Sequence, residues 1–222
     1  MERDMPDALL LGIETSSSFF SVAVSRGEKI LAARTMDGMG RPAELLSGMI
    51  EESLASAGQE LGQMDGLAVS IGPGSFTGLR IGVITAKTIA WALKKPVLPV
   101  SSLEVIAWNL ADSKPASVRV ILDARKGKIY MAQFSFGPDG AVKRMTQDRL
   151  TAPEEAFQRL EPATVLTGDG MKKYGPDRPA PPPEKWIPSA ENVCRIAARR
   201  WPAGALDDPH KLVPQYLWDQ LY

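Results

Sequence analysis

Cysteine and histidine are nearly absent from the 222 residues, which contain one of each, Cys194 and His210. The single cysteine excludes an internal disulfide and any metal site built from several cysteines. The single histidine excludes the motifs that place two histidines on one metal ion. Catalysis by a metal or nucleophile cluster of these residue types is therefore not expected.

An excess of charge of one sign is also missing, because Lys plus Arg and Asp plus Glu each number 26. The chain therefore lacks the strong basic balance of most proteins that bind nucleic acid directly. Hydrophobic residues make up 44% of the sequence, and a disordered chain has far fewer. We expect an ordinary globular protein.

No apolar run approaches the roughly 20 residues that a membrane-spanning helix needs. Three acids precede the first apolar run, whereas a signal peptide begins with basic residues and continues with a longer apolar stretch. The sequence thus predicts a cytoplasmic protein with no membrane association.

The predicted strands and helices follow an order that occurs twice. In the first half it is three strands, a helix, a strand and a helix, at 8–13, 18–25, 28–35, 42–57, 67–71 and 76–95. After a linking strand and helix, the second half predicts strands at 117–122, 128–136 and 141–146, a helix at 153–160, a strand at 163–167 and a helix at 189–201. A repeated order indicates a duplicated α/β fold. We predict an N-terminal lobe at 1–100 and a C-terminal lobe at 101–222, with 203–222 packing on the first lobe as one option.

Polar residues and glycines follow the predicted central strands of both halves. Sheets with helices on their faces bind ligands at the carboxyl ends of their strands. The candidate nucleotide cleft is therefore formed by Glu14, Thr15, Gly72, Gly74, Ser75, Asp123, Arg125, Gly168 and Gly170. Glu14 and Asp123 are candidates to hold Mg²⁺ through water. The alternative is that both carboxylates only stabilise turns.

The segment Gly72–Arg80 (GPGSFTGLR) is the most informative motif, a tight turn from a strand into a helix. Glycines allow a close backbone approach, and the free N–H groups of a helix start favour an anion. The spacing fits neither the P-loop nor the dinucleotide-binding pattern. The alternative is that Ser75 or Thr77 caps the helix and the glycines merely permit the turn.

Small residues recur at four-residue spacing in the following helix, at Gly78, Gly82 and Ala86. Such a face allows close packing, either against helix 42–57 of the same chain or against another subunit.

Four segments, in their order along the chain, resemble those of one protein family. They are Leu11–Ser16 (LGIETS), Gly72–Gly82 (GPGSFTGLRIG), Pro99–Leu103 (PVSSL) and Asp123–Arg125 (DAR). The family is the bacterial TsaB (YeaZ) family, and the similarity extends over essentially the whole chain. The sequence departs from the family pattern at Glu14, where members often carry Asp. It also departs at Trp218, because the segment Val213–Leu217 resembles the family's closing Pro-x-Tyr-Leu-Arg motif, in which Arg occupies this position.

The resemblance implies an actin-like, sugar-kinase-like ATPase fold with two RNase H-like lobes, and a protein that is no enzyme on its own. It implies a dimerization or scaffold subunit of the tRNA N6-adenosine threonylcarbamoyltransferase complex. That complex forms threonylcarbamoyladenosine at adenosine 37 of tRNAs that read ANN codons. The implied partners are the paralogue TsaD, a second copy of the chain when TsaD is absent, the ATPase TsaE on the assembled pair, and tRNA through the complex. The chain itself would require no cofactor, while the complex uses ATP, with Mg²⁺ as a further candidate.

The resemblance also implies that helices 42–57 and 76–95 form the partner surface. The residue types that agree with this surface are Leu46, Met49, Ile50, Gly78, Leu79, Gly82, Val83 and Ala86. On this hypothesis Gly82→Trp disrupts partner binding and leaves the fold largely intact.

Two other functions are open to the same sequence. An active ATP-dependent small-molecule phosphotransferase of this fold would bind nucleotide and lose it in Asp123→Ala. A glycoprotein peptidase would need a metal or nucleophile cluster, which one histidine and one distant cysteine do not supply.

Overall fold

The computed structural model describes residues 7–38, 42–137, 142–158, 160–176, 179–201 and 208–218. Parts of the Pro-rich loop 176–188 and of the segment 203–222 lie outside these residues. The strands and helices are β1 (Leu9–Glu14), β2 (Phe19–Arg26), β3 (Lys29–Asp37), α1 (Pro42–Ala57), β4 (Gly66–Gly72), α2 (Phe76–Leu93), β5 (Val97–Ser101), α3 (Ser102–Ala107), β6 (Ser117–Arg125), β7 (Lys128–Phe136), β8 (Val142–Arg144), β9 (Arg149–Thr151), α4 (Pro153–Phe157), β10 (Thr164–Thr167), α5 (Met171–Tyr174) and α6 (Ala190–Arg200).

The chain divides into two units. Unit 1 consists of Met1–Val100 and Ser189–Pro214, and unit 2 consists of Ser101–Pro188 and Gln215–Tyr222. The first boundary coincides with the predicted one at residue 100. The assignment of α6 differs from the prediction, because this helix packs on β1 and β2 of unit 1 rather than within the second half.

Unit 1 contains a five-stranded sheet in the order β3-β2-β1-β4-β5. β1 runs antiparallel to β2 and parallel to β4. Its apolar run of Leu and Ile is buried along its whole length, as expected for a central strand covered on both faces. One core cluster joins this sheet to α1 and α2 and also takes in Leu212 from the C-terminal segment.

Helix α6 covers the sheet of unit 1 through very close contacts. A Cβ atom on Gly12 of β1 would lie 2.8 Å from the carbonyl oxygen of Ala190, and it would also meet the Cys194 thiol. A Cβ atom on Gly66 of β4 would likewise collide with the ring of Trp201. Cys194 is fully buried, and burial raises the pKa of its thiol to about 12. The lone cysteine therefore packs as a small apolar residue.

Unit 2 repeats the arrangement with shorter helices. Its strand order is β10-β6-β7-β8, and β9 also pairs with β7. β6 is parallel to β10 and antiparallel to β7, as β1 is to β4 and β2. This repetition confirms the predicted duplicated α/β fold. The sequence patterns did not predict the short elements β9 and α5.

Helix α1 has the predicted bounds, whereas α2 ends two residues earlier than predicted. Lys94 adopts a left-handed conformation with φ 52°, and its N–H bonds the carbonyl oxygens of Ala90 and Trp91. The helix therefore stops before Pro96, without the glycine that usually ends a helix in this way. Among the described residues, no helix is both long and apolar enough to cross a membrane.

Candidate functional site

The carboxyl end of β1 carries Glu14, whose side chain is completely buried. Oε1 accepts a hydrogen bond from the Ser16 N–H at 2.5 Å, while Oε2 is buried with no hydrogen-bond partner among the described residues. Burial raises the pKa of this carboxyl, opposed by its hydrogen bonds to Ser16 and Ser70. Burial therefore disfavours the charged form of this carboxyl, and a side chain without access to solvent does not fit the predicted holding of Mg²⁺ through water.

The Gly72–Arg80 segment connects β4 to α2, as predicted. Gly72 has φ 113°, and the Gly72–Pro73 peptide bond is cis. Ser75 is the N-cap of α2, because its Oγ accepts a hydrogen bond from the Gly78 N–H at 3.3 Å. Of the two candidate caps, Ser75 is therefore the one used. The Ser75 N–H itself donates to the carbonyl oxygen of Ser16 at 2.7 Å.

The glycines of this turn approach the chain's own backbone. A Cβ atom on Gly74 would collide with the carbonyl oxygen of Ser16, and one on Gly78 with that of Thr15. A Cβ atom on Gly82 would collide with the Thr15 hydroxyl, which donates to the carbonyl oxygen of Gly78 at 2.8 Å. The β1–β2 turn thus occupies the cradle that these glycines form. We call this contact the β1–α2 clasp.

The eight predicted interface residues lie inside unit 1, so the prediction that they form a partner surface is wrong. The six with side chains are at most 5% exposed: Leu46, Met49, Ile50, Leu79, Val83 and Ala86. Gly78 and Gly82 are buried in the β1–α2 clasp. The small-residue spacing therefore records packing within the chain, and Gly82→Trp is now expected to disrupt the fold.

The opposite side of these helices is exposed. The outer face of α2 consists of Phe76, Thr77, Arg80, Ile84, Thr88 and Trp91. Ile84 and Trp91 are each 61% exposed and Phe76 is 53% exposed. The Arg80 guanidinium lies 3.9 Å from the centre of the Phe76 ring. The outer face of α1 consists of Ala43, Glu44, Ser47, Glu51, Glu52, Ala55 and Ser56.

The strand ends of unit 2 bring together a second group of predicted residues. Asp123, at the end of β6, is partly accessible, and its Oδ1 accepts a hydrogen bond from the Arg125 N–H at 2.9 Å. Its Oδ2 lies 3.5 Å from the Lys173 Nζ and 3.9 Å from the Arg125 guanidinium. The Tyr174 hydroxyl donates to Oδ1 at 3.4 Å. Asp123 is therefore a partly accessible carboxylate beside two cationic side chains and one hydroxyl group.

Asp169 belongs to this group although the sequence analysis did not select it. Its Oδ1 accepts a hydrogen bond from the Asp123 N–H at 3.0 Å. Burial raises the pKa of its carboxyl, and the neighbouring Asp123 charge adds to the effect. Its position between Gly168 and Gly170 was the available signal, since Gly and Asp after a strand predict a turn in which the Asp side chain bonds backbone N–H groups. Lys173 and Tyr174 carried no comparable signal.

The two glycines beside Asp169 allow another close backbone approach. Gly168 has φ 102°, and a Cβ atom there would collide with the carbonyl oxygen of Ile121 in β6. The Gly170 N–H donates to the same oxygen at 3.0 Å. The nine predicted cleft residues therefore form two groups, five in unit 1 and four in unit 2. Among the described residues, no three His, Cys, Asp or Glu side chains lie close enough to hold a metal ion together.

Comparison with known proteins relates the chain to one group. The family model described as "TsaD: tRNA N6-adenosine threonylcarbamoyltransferase" matches residues 42–176, more than half of the chain. The tRNA threonylcarbamoyladenosine biosynthesis protein TsaB of Haemophilus influenzae is 34% identical over 184 residues, which are 77% of this chain and 75% of that protein. TsaB of Escherichia coli is 28% identical over 219 residues, 94% of each chain.

A solved structure supports the same assignment. YeaZ from Pseudomonas aeruginosa superimposes with a TM-score of 0.82 at 26% identity, covering 95% of this chain and all of that one. The similarity thus includes both units and the order of their elements. The chain belongs to the TsaB (YeaZ) family.

Proposed function

We propose that this chain is a non-catalytic subunit of the machinery that forms threonylcarbamoyladenosine in tRNA. Its relatives in Haemophilus influenzae and Escherichia coli are named for biosynthesis of that nucleoside. In this proposal the chain holds a TsaD-type transferase in its active arrangement, and TsaE docks on the assembled pair. The complex modifies the tRNA, and the ATP that this reaction requires is used by other subunits.

The burial of Glu14 is the observation that carries the non-catalytic part of the proposal. The predicted pair of carboxylates could hold a metal ion beside a phosphate only if Glu14, like the partly accessible Asp123, reached solvent. Glu14 is fully buried, and the glycine turn beside it is filled by Thr15 and Ser16. The residue and the cradle remain, but both serve the packing of unit 1.

The outer face of α1 and the part of the outer face of α2 from Phe76 to Ile84 are the proposed partner surface, bound by a TsaD-type protein or, in its absence, by a second copy of the chain. Phe76 and Ile84 supply exposed apolar area on α2. Gly48 on α1 faces open space, with no atom within 4 Å of a Cβ placed there, so another helix can approach closely. Apolar anchors of this kind supply most of the binding energy of an interface.

The charges of the two helices are complementary. The charged residues of α1 are all acidic, namely Glu44, Glu51 and Glu52, whereas those of α2 are basic, namely Arg80 and Lys87. In a two-fold pairing, α1 of one subunit can lie beside α2 of the other. Opposite charges then favour association and help to fix the orientation.

Substitution of Ile84 by Asp tests the surface. Ile84→Asp places a charge in the centre of the outer face of α2 and should weaken binding to a TsaD-type partner at least tenfold, because the carboxylate would be desolvated. Met145→Asp is the matched control, since Met145 is 55% exposed in unit 2. Binding is measured by sedimentation velocity and calorimetry. Equal affinity of both variants would contradict this assignment.

An omission assay tests the function itself. tRNA, labelled threonine, bicarbonate and ATP are mixed with the other pathway proteins, with and without this chain. We expect label in the tRNA only when the chain is present, and no ATP hydrolysis by the chain alone. Labelling without the chain would overturn the proposal. ATP binding by the isolated chain that is lost in Asp123→Ala would instead favour the phosphotransferase hypothesis.

A further inference from the structure

The carboxyl end of α2 and the C-terminal segment of unit 1 line a cavity of about 590 Å³ that is open to solvent. Its lining includes Trp91, Lys94, Lys95, Pro96, Asp208 and His210. It lies at the opposite end of α2 from the β1–α2 clasp, so none of the residues of the predicted nucleotide cleft takes part in it. We call it the α2-end cavity.

The wall formed by the C-terminal segment is held in place at three points. Lys87 Nζ donates to the carbonyl oxygens of His210 at 3.0 Å and Leu212 at 3.4 Å. Leu212 is 3% exposed and belongs to the core of unit 1. Asp208 accepts a hydrogen bond from the His210 N–H at 2.9 Å and closes a short 3-10 turn. A preformed wall lowers the cost of ordering when a ligand binds.

Two cations line the cavity, Lys94 and Lys95. Neither Lys94 nor Lys95 forms an ion pair with any residue in the described part of the chain. Lysines often neutralise the carbonyl groups at a helix end, but here the N–H groups of Lys94 and Lys95 already bond the carbonyl oxygens of Ala90 and Trp91. Both ammonium groups are therefore available to an anion.

The backbone of Lys94 has an unfavourable conformation for a residue that is not glycine. A left-handed conformation costs a residue with a Cβ atom free energy that glycine avoids, and Lys94 has φ 52° and ψ 43°. This conformation caps the end of α2, and a lysine occupies the position where glycine is usual. Beside it, the Trp91 ring is 61% exposed, although a large aromatic side chain gains stability from burial.

We propose that the α2-end cavity is a contact site for RNA, in which Trp91 stacks on a base and Lys94 and Lys95 bind phosphates. Aromatic rings beside unpaired lysines are the combination that holds single-stranded nucleic acid without sequence readout. The substrate of the proposed complex, tRNA, supplies both groups in its unpaired loops and end. The inference rests on the proposed function for the identity of that RNA.

The test measures binding of an unmodified, fluorescently labelled tRNA transcript to the full chain by anisotropy at several salt concentrations. Lys94→Glu with Lys95→Glu should weaken binding roughly tenfold or more and lower the salt dependence by about two phosphate contacts. Trp91→Ala should weaken binding by about tenfold. Lys143→Glu with Lys172→Glu is the control, because both lysines are exposed in unit 2 and the net charge changes equally.

Lys94→Gly separates a ligand-binding role from a structural one. Glycine relieves the left-handed strain, so the melting temperature should rise while the affinity for tRNA falls. Parallel loss of tRNA affinity in the control double variant would show only non-specific attraction and would overturn the proposal. No tRNA binding by the wild-type chain, or loss of TsaD binding instead of tRNA binding in Trp91→Ala, would also overturn it. These outcomes leave the omission assay unaffected, so the proposed function is judged separately.

Discussion

The two units share one topology over four strands each, but their strand-end acids lie in opposite environments. In unit 1, Glu14 is buried, and the neighbouring glycine turn closes on Thr15 and Ser16. In unit 2, Asp123 is partly accessible and lies among Arg125, Lys173 and Tyr174. The strand-end acid therefore belongs to the core in unit 1 and to a polar, partly accessible group in unit 2.

Solvation explains why the difference between the two strand ends matters for stability. Groups buried in unit 1 lose hydration and depend entirely on their protein partners, whereas water replaces lost partners at the strand ends of unit 2. Equivalent substitutions should therefore cost more in unit 1. The variants below test this from the largest expected effect to the smallest. In each case, hydrogen exchange assigns the change in the free energy of unfolding to one unit, because a chain with two units need not unfold in one step.

Gly78→Ala should have the largest effect. The added methyl group collides with the backbone carbonyl of Thr15, so we expect a loss of about 3 kcal/mol in the urea-derived free energy of unfolding. Gly48→Ala in α1 is the control, because it gains helix propensity in open space and should stabilise by about 0.5–1 kcal/mol. If Gly78→Ala and Gly48→Ala changed the free energy of unfolding equally, the β1–α2 clasp would not be close-packed.

Gly168→Ala is the counterpart in unit 2. Its methyl group meets the carbonyl oxygen of Ile121, and φ 102° is unfavourable for alanine, so we expect a loss of about 2 kcal/mol. Gly127→Ala, at φ 71° in open space, carries only the conformational penalty and should lose about 1 kcal/mol. A loss confined to unit 1 in hydrogen exchange would argue against this interpretation.

Glu14→Gln should change the pH dependence of stability. Burial raises the pKa of Glu14 in the folded chain, so the folded state binds the proton more tightly and stability falls as pH rises from the unfolded to the folded pKa. The penalty at neutral pH is about 1.4 kcal/mol for each unit of that difference. Urea titrations between pH 4 and 8 should show Glu14→Gln more stable than wild type at the upper end and equal to it in acid. A constant difference across this range would contradict the assignment.

Removal of one hydroxyl group from each unit gives the smallest effects. Thr15→Val deletes a buried hydrogen bond to Gly78 of 2.8 Å and should cost about 1 kcal/mol. Tyr174→Phe deletes a longer bond of 3.4 Å to the accessible Asp123 and should cost about 0.5 kcal/mol at most. Urea midpoints compare the two. A larger loss of stability in Tyr174→Phe than in Thr15→Val would contradict the view that buried groups of unit 1 contribute more than the partly accessible groups of unit 2.

The sequence was sufficient to predict the duplicated topology, because central strands such as Leu9–Glu14 are continuous apolar runs and α1 has clear helical periodicity. It was also sufficient to place the start of α2 after the glycine turn, but it left Ser75 and Thr77 as alternative caps. The sequence did not show whether the small residues of α2 face their own unit or another subunit. Gly78 and Gly82 give the same pattern whether they contact Thr15 or a partner chain. Nor did the pattern reveal the burial of Glu14, which depends on residues distant in sequence such as Ser70.

Unit 1 is assembled from two separate stretches of chain, and this has a consequence for biosynthesis on the ribosome. Helix α6 and Leu212, which complete its packing, are translated after all of residues 101–188. At about 5–20 residues per second, the first hundred residues wait several seconds for these late elements. During that interval the surface of β1 and β2 that α6 later covers is open to chaperones, and truncation after residue 100 yields an incomplete core rather than an independent domain.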